Sequence, residues 1–225
     1  MLIKRKDRQR HKRMRRIERA LKEEGFRIVA GIDESGRGPL AGPVVASAVV
    51  LKEVSLQVII KDCKKLTPRA RDLAYEEILK CSYIGTGIVE REDIDRLNIY
   101  QASLLAMREA VRNLGVEPDC LLIDGPYRIS ESIKNISIIS GDSRSFCIAC
   151  ASIVAKVVRD KIMHGLDKLY PQYDFKHNKG YGTKKHFQLI EKFGPSPVHR
   201  LSFFPFAQRE NKRKDFIERK KEVLD

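Results

Sequence analysis

The run Gly31-Ile-Asp-Glu-Ser-Gly-Arg-Gly-Pro-Leu-Ala-Gly-Pro-Val-Val45 sets two adjacent carboxylates, Asp33 and Glu34, directly before a glycine-rich turn. Two further aspartates stand next to glycine, in Ile123-Asp-Gly125 and Gly141-Asp142. Carboxylates without histidine or cysteine suit hard cations such as Mg²⁺ or Mn²⁺, whereas zinc sites usually recruit imidazole or thiolate. Two carboxylates about 4 Å apart repel by roughly 4 kcal/mol at an effective dielectric near 20, so a gathered set raises its own pKa values unless cations occupy it. In a site holding two ions roughly 3.5 to 4 Å apart, one activates a water and the other stabilises a leaving oxygen. Beside the acids, Gly36 and Gly38 lack Cβ and let the main chain approach a bulky ligand, while Arg37 brings charge.

Such chemistry needs a frame that brings distant segments together. Residues 27–32 read as a strand, so Asp33 and Glu34 fall where the pleat gives out and both side chains reach one site. Residues 43–51, 81–89, 119–124 and 133–139 are apolar and β-branched enough to be four more strands. Thr67-Pro68 opens a helix through residue 80, with threonine as cap and proline at the first helical position. Further helices are predicted over 92–97, 100–114, 143 to about 170, and 184–193, the last stopped by Gly194-Pro195. Residues 2–24 carry Met14, Ile17, Ala20 and Leu21 at helical spacing, which predicts a solvent-exposed amphipathic helix with an accessory role in phosphate contact. Residues 208–224 read as a charged helix or tail. Three consecutive strands followed by alternating helices and strands predict a mixed sheet with helices on its faces.

With 225 residues and 42% hydrophobic content, the chain can bury the core of one large domain. Its net charge of +14, from 44 Lys+Arg against 30 Asp+Glu, calls for an anionic partner. Half of that excess sits in residues 1–25, which hold 11 basic and 4 acidic side chains. No stretch approaches the ~20 apolar residues of a membrane span, and the N-terminus is too charged for a signal peptide, so a cytoplasmic protein is expected. The five cysteines are scattered and odd in number, which points to reduced thiols. Cys147 and Cys150 have C-x-x-C spacing without a second pair, and read as buried small side chains.

The opening run resembles the first motif of the bacterial ribonuclease HII family, and further strings match in the family's order. They are Asp62-Cys-Lys-Lys-Leu66, Asn98-Ile-Tyr-Gln-Ala-Ser-Leu104, Ile123-Asp-Gly125, Gly141-Asp142, Ala151-Ser-Ile-Val-Ala-Lys-Val-Val-Arg-Asp160, Lys179-Gly-Tyr-Gly-Thr183 and His199-Arg-Leu-Ser-Phe203. The resemblance spans roughly residues 28–206. It implies an α/β, ribonuclease H-like fold: a mixed five-stranded sheet flanked by helices, with a hairpin-connected trio joined by two parallel strands and a C-terminal helical portion. The catalytic domain would cover 27–207, between a basic extension (1–26) and a charged C-terminal helix or tail (208–225).

In function, the resemblance implies a metal-dependent endonuclease for the RNA strand of RNA/DNA hybrids and for single ribonucleotides in duplex DNA. The latter would be cut on their 5′ side, leaving 5′-phosphate and 3′-hydroxyl ends. Asp33, Glu34, Asp124 and Asp142 match the family's four acids, which hold Mg²⁺ or Mn²⁺. Gly36-Arg37-Gly38 would read the ribose, and Tyr181 would stack on the adjoining deoxyribose. Lys64, Lys65, Lys184, Lys185 and Arg200 are candidate phosphate contacts. Cys63 stands where the family usually has serine, which removes a hydroxyl available to phosphate, and Cys150 where alanine is common. A monomer without an obligate protein partner is expected. Ribonuclease HIII shares the acids but resembles Gly-Thr-Gly at the loop and adds an N-terminal domain. A non-catalytic basic nucleic-acid-binding protein fits the charge but not four acids that repel phosphate.

Overall fold

Strand β1 (Val29–Ser35) is buried on both sides through Asp33, as a central strand must be. The computed structural model describes residues 4–52, 56–61, 63–130 and 132–207. β1 pairs antiparallel with β2 (Val44–Leu51) and parallel with β4 (Cys120–Asp124). β2 pairs antiparallel with β3 (Ser82–Val89), and β4 parallel with β5 (Lys134–Ile138), giving the order β3-β2-β1-β4-β5. This is the expected mixed five-stranded sheet, except that β2 and β3 are joined through helix α3 (Pro68–Cys81) rather than a hairpin. Thr67 caps α3 by accepting from the Ala70 amide at 3.3 Å, ahead of Pro68.

Helices cover both faces. α5 (Ile99–Arg112) lays Ala102, Ala106 and Ala110 against Ala30, Ile32, Ala46 and Ile123, small side chains that permit close approach. It is entered from α4 (Arg91–Leu97) through Asn98, whose side-chain oxygen accepts from the amides of Tyr100 and Gln101. The other face is covered by α7 (Phe146–Leu169), which packs Phe146, Ile148 and Ile153 into clusters with Val49, Val29 and Leu122. Each such apolar burial is worth about 1.5 to 3 kcal/mol. α7 crosses β1 so closely that a Cβ at Gly31 would lie 2.2 Å from the Cys147 carbonyl carbon. The helix expected from 143 is broken in two: Ser145 is extended between α6 (Gly141–Arg144) and α7, and its hydroxyl caps α7 by accepting from the Ile148 amide. A further cluster of Leu40, Met163, Tyr173, Phe175, Ile190 and Phe206 ties α8 (Phe175–Asn178) and α9 (Lys184–Phe193) to the loop after β1.

The basic leader departs from the expected solvent-exposed helix. It forms α1 (Arg5–Met14) and α2 (Arg16–Glu23), both docked on the body. Met14 is 3% exposed in the cluster around Phe146, and Leu21 4% exposed against Val29 and Ile148. His11 Nε2 accepts from the Ile60 amide at 3.1 Å. Glu18 accepts from the Ser145 hydroxyl at 2.7 Å and the Cys147 amide at 3.0 Å, so its carboxylate meets the positive end of α7. Residues 208–225, expected as a charged helix or tail, lie outside the described residues. Among those described, no helix is long and apolar enough to cross a membrane.

Candidate active site

In the parallel register of β1 and β4, Ile32 pairs with Ile123, so Asp33 and Asp124 come next on neighbouring strands, level at one end of the sheet. β1 runs on through Ser35, which corrects the expectation that the pleat gives out at the acids. Alternation therefore sends Asp33 to the α7 face and Glu34 to the opposite one. Asp33 is 6% exposed and accepts from the Glu34 amide at 2.7 Å and from Ser152 of α7. Burial first, then the charges of Glu34 and Asp124, push its carboxyl well above the usual carboxylate range, against those hydrogen bonds. Glu34 lies 3.6 Å from Arg37 Nη1. Asp124 accepts from the Gly141 amide at 2.6 Å, which ties the end of β4 to α6 and so to Asp142. Among the described residues, no three His, Cys, Asp or Glu side chains stand close enough to hold an ion as they are.

The loop leaving β1 is built around two buried guanidiniums. Gly36 has φ +100°, and a Cβ there would lie 2.2 Å from Arg159 Nε and 2.7 Å from the Pro43 carbonyl oxygen. Both conformation and space exclude a side chain. Gly38 is exposed, and its Cβ would meet only Tyr181 Cε1, at 3.8 Å. The Arg37 guanidinium sits 5.3 Å over the Tyr127 ring. Tyr181 is 44% exposed, in keeping with its flanking glycines.

Arg200 is not the phosphate contact expected of it. It is fully buried and donates to the carbonyls of Gly36 (2.7 Å), Arg37 (3.1 Å), Pro39 (2.9 Å) and Gly42 (2.8 and 2.9 Å). Those carbonyls take up its donors, and burial followed by the charge of Arg159 lowers its pKa to about 9. Arg159 is as deeply buried and donates to the carbonyls of Pro43, Lys179 and Ala41 at 3.0, 3.0 and 3.2 Å. Lys65, Lys184 and Lys185 are exposed, and Lys185 is paired with Asp174 at 2.6 Å. Asp62 and the Lys64 side chain lie outside the described residues.

Sequence reasoning passes over Ser152, Arg159 and Tyr127. The first two are seven residues apart, hence on one face of α7, and polar side chains on an otherwise apolar stripe were the available signal. Nothing local marks Tyr127. Cys63 is buried, and its sulfur lies 3.3 Å from the Ser152 hydroxyl that donates to it, the same hydroxyl that hydrogen-bonds the Asp33 carboxyl. The departure from serine is thus absorbed beneath Asp33. Cys147 and Cys150 are buried free thiols, pushed up by burial, as the sequence suggested. A cleft of about 580 Å³ is lined by Arg15, Glu18, Arg27, Val29 and Lys52 at the opposite end of β1, away from the acids. Carboxylates gathered at one end of the sheet, beside an exposed main chain and an exposed ring, suit an extended strand of nucleic acid better than an enclosed small molecule.

Residues 30–205 match a family model described as ribonuclease HII. Curated relatives carry the same name. One from Lactobacillus johnsonii is 48% identical over 184 residues, covering 81% of this chain and 73% of the relative. Another, from Listeria monocytogenes, is 49% identical over 197 residues, covering 87% and 75%. Among solved structures, ribonuclease H2 from Pyrococcus horikoshii superposes with a TM-score of 0.70 at 22% identity, over 83% of this chain and 98% of that one. Bst-RNase HIII in complex with Mn²⁺ gives 0.61 at 18% identity, over 80% and 68%.

Proposed function

The chain belongs to the ribonuclease HII family, metal-dependent endoribonucleases that cleave RNA in RNA/DNA hybrids, and we propose that it also cuts 5′ of single ribonucleotides in duplex DNA. Its products would be 5′-phosphate and 3′-hydroxyl ends. One observation carries this reading: the Gly38 and Tyr181 recognition elements adjoin, with 3.8 Å between the Cβ position of one and the ring of the other. The Gly36-Arg37-Gly38 backbone offers N–H and C=O groups to a ribose 2′-hydroxyl, the feature that tells RNA from DNA. Tyr181 offers its ring to the next sugar, a deoxyribose. A reader in two adjoining parts fits a junction, whereas continuous RNA would ask for the same ribose contact at successive sugars.

Asp33, Glu34, Asp124 and Asp142 would hold two divalent ions, Mg²⁺ or Mn²⁺ by the all-oxygen donor set. A buried carboxyl whose proton affinity is raised by two neighbouring acids is a group that a divalent cation relieves, and Asp33 fits that description. Bound ions supply an activated water and a stabilised leaving oxygen to phosphodiester hydrolysis. The chain's own part is positional: β1 and β4 hold Asp33 and Asp124 level, the Gly141 amide fixes Asp124, and Arg37 brings charge to a phosphate. Lys65 and Lys184 extend that positive surface. Lys64 joins them as a proposed contact on sequence grounds. We assign the catalytic domain to 27–207 and expect a cytoplasmic monomer that needs no protein partner.

Three labelled duplexes test the reading: one with a lone ribonucleotide, a continuous hybrid, and pure DNA, each with Mg²⁺, Mn²⁺ or chelator. Metal-dependent cutting of the first two, on the 5′ side of the lone ribonucleotide, is expected. An enzyme that cuts the hybrid and leaves the lone ribonucleotide intact would overturn the proposal.

A further inference from the structure

Two buried histidines take no part in the chemistry above, yet they connect its recognition elements. His186 and His199 are fully buried and face each other, Nε2 to Nε2, at 3.1 Å. Their outer partners dictate where the protons lie. His186 Nδ1 is 2.9 Å from the Tyr181 carbonyl oxygen, so it carries the hydrogen and donates. Its Nε2 is then bare and accepts, which makes His199 Nε2 the donor. His199 Nδ1, bare in turn, accepts from the Ser196 amide at 2.9 Å and the Ser196 hydroxyl at 2.7 Å. With both rings neutral, every donor finds an acceptor. One added proton would set two N–H groups head to head. Burial keeps both rings neutral, lowering His199 to about 4 and His186 in the same direction, and Tyr173, Phe175 and Phe206 wall the pair in.

The next residue, Arg200, reaches the other recognition element. Its side chain gathers the carbonyls of Gly36, Arg37, Pro39 and Gly42, and its amide donates to the Leu40 carbonyl at 2.8 Å. The Leu40 amide in turn donates to the Gly180 carbonyl at 2.8 Å, and Ala41 bridges to His199. From one short stretch, His199 holds the tyrosine turn through His186 while Arg200 holds the glycine loop.

We propose that His186, His199 and Arg200 form a brace that fixes Tyr181 relative to Gly36-Arg37-Gly38, and that they are positioning residues for recognition of a ribonucleotide junction. The proposal rests on the reading of Tyr181 given above. None of the three touches substrate; their effect passes through Tyr181 and the loop.

His199→Asn tests it, because the shorter amide can still meet Ser196 but cannot reach His186. For the duplex with a lone ribonucleotide, kcat should fall about tenfold or more with KM little changed, since misplacement by an ångström can cost about a hundredfold. The deciding measurement is a double-mutant cycle with Tyr181→Ala, at a temperature where circular dichroism shows all four proteins folded. If the brace acts through Tyr181, His199→Asn lowers kcat no further once the ring is gone. Losses that multiply, or a parental kcat for His199→Asn, overturn the proposal. A silent Tyr181→Ala also overturns it, but for a separate reason, because the assignment of Tyr181 itself has then failed. Should His199→Asn not fold, His186→Asn carries the same cycle: its amide can donate to the Tyr181 carbonyl in place of Nδ1 but leaves His199 unmet.

Discussion

Alanine at Gly36 and at Gly38 should separate a glycine that the fold needs from one that the substrate needs. At Gly36, an L residue held at φ +100° carries strain of about 1 to 2 kcal/mol. Its methyl would also stand 2.2 Å from Arg159 Nε and 2.7 Å from the Pro43 carbonyl, so either the guanidinium leaves its carbonyls or the loop shifts. Overpacking of that kind costs about 1 to 3 kcal/mol. The sum, about 2 to 5 kcal/mol, lowers the melting temperature by roughly 4 to 20 °C for a chain of this size. Gly38 has no left-handed φ, and its methyl would meet Tyr181 at an ordinary 3.8 Å, so stability should stay within about 0.5 kcal/mol. Yet that methyl occupies the space beside the ring where the proposed reading places a ribose, and displacement by an ångström costs up to about a hundredfold in rate. Thermal melts paired with single-turnover cleavage of the lone-ribonucleotide duplex read both effects. A parental melting temperature for Gly36→Ala would refute the packed loop. Parental cleavage by Gly38→Ala would refute the close approach of substrate to the main chain there.

Asp33→Asn should abolish cleavage while fluorescence anisotropy shows duplex binding largely kept, and the variant should lose the thermal stabilisation that Mg²⁺ or Mn²⁺ gives the parent; near-parental turnover in Mg²⁺ would mean the metal site is misassigned. Met14→Ala should cost about 2 to 5 kcal/mol in urea denaturation, as for a buried core methionine, whereas a solvated leader would show almost nothing. Stability should also fall as pH drops from above 6.5 towards 4. His11 and His199, both lowered to about 4 chiefly by burial, stay neutral in the fold and take protons only when unfolded, so the unfolded state binds more protons across that window. Urea midpoints at pH 7.5 and 5 check this, and removing either imidazole should flatten the slope; equal slopes would rule those histidines out.

Local signals in the sequence held well where structure is local. Thr67-Pro68 opens α3 and residues 184–193 form α9, because caps, prolines and apolar spacing act within a few residues. What depends on pairing across the chain was not legible. The level placement of Asp33 and Asp124 comes from the register of strands whose residues lie about ninety positions apart, and only the family resemblance anticipated it. Arg200 was misread for a physical reason: a basic residue among glycines and prolines looks solvated until the loop turns its carbonyls inward. The leader shows the same divide. The spacing of Met14, Ile17 and Leu21 announces an apolar helical face, but that Glu18 would cap α7 depends on a partner 127 positions away.

The order in which the chain is synthesised gives the Arg200 brace another consequence. Gly36 and Arg200 are 164 positions apart, which at about 5 to 20 residues per second separates their emergence by roughly 8 to 33 s. In that interval the nascent chain already presents Asp33 and Glu34, while the guanidinium that gathers the carbonyls of the Gly36-Arg37-Gly38 loop does not yet exist. A copy cut short before residue 200 keeps its acids but lacks the guanidinium that gathers the loop carbonyls beside them. With Arg200 so far down the chain, the loop proposed to read ribose takes its form only after almost all of the residues that pack around it have been made.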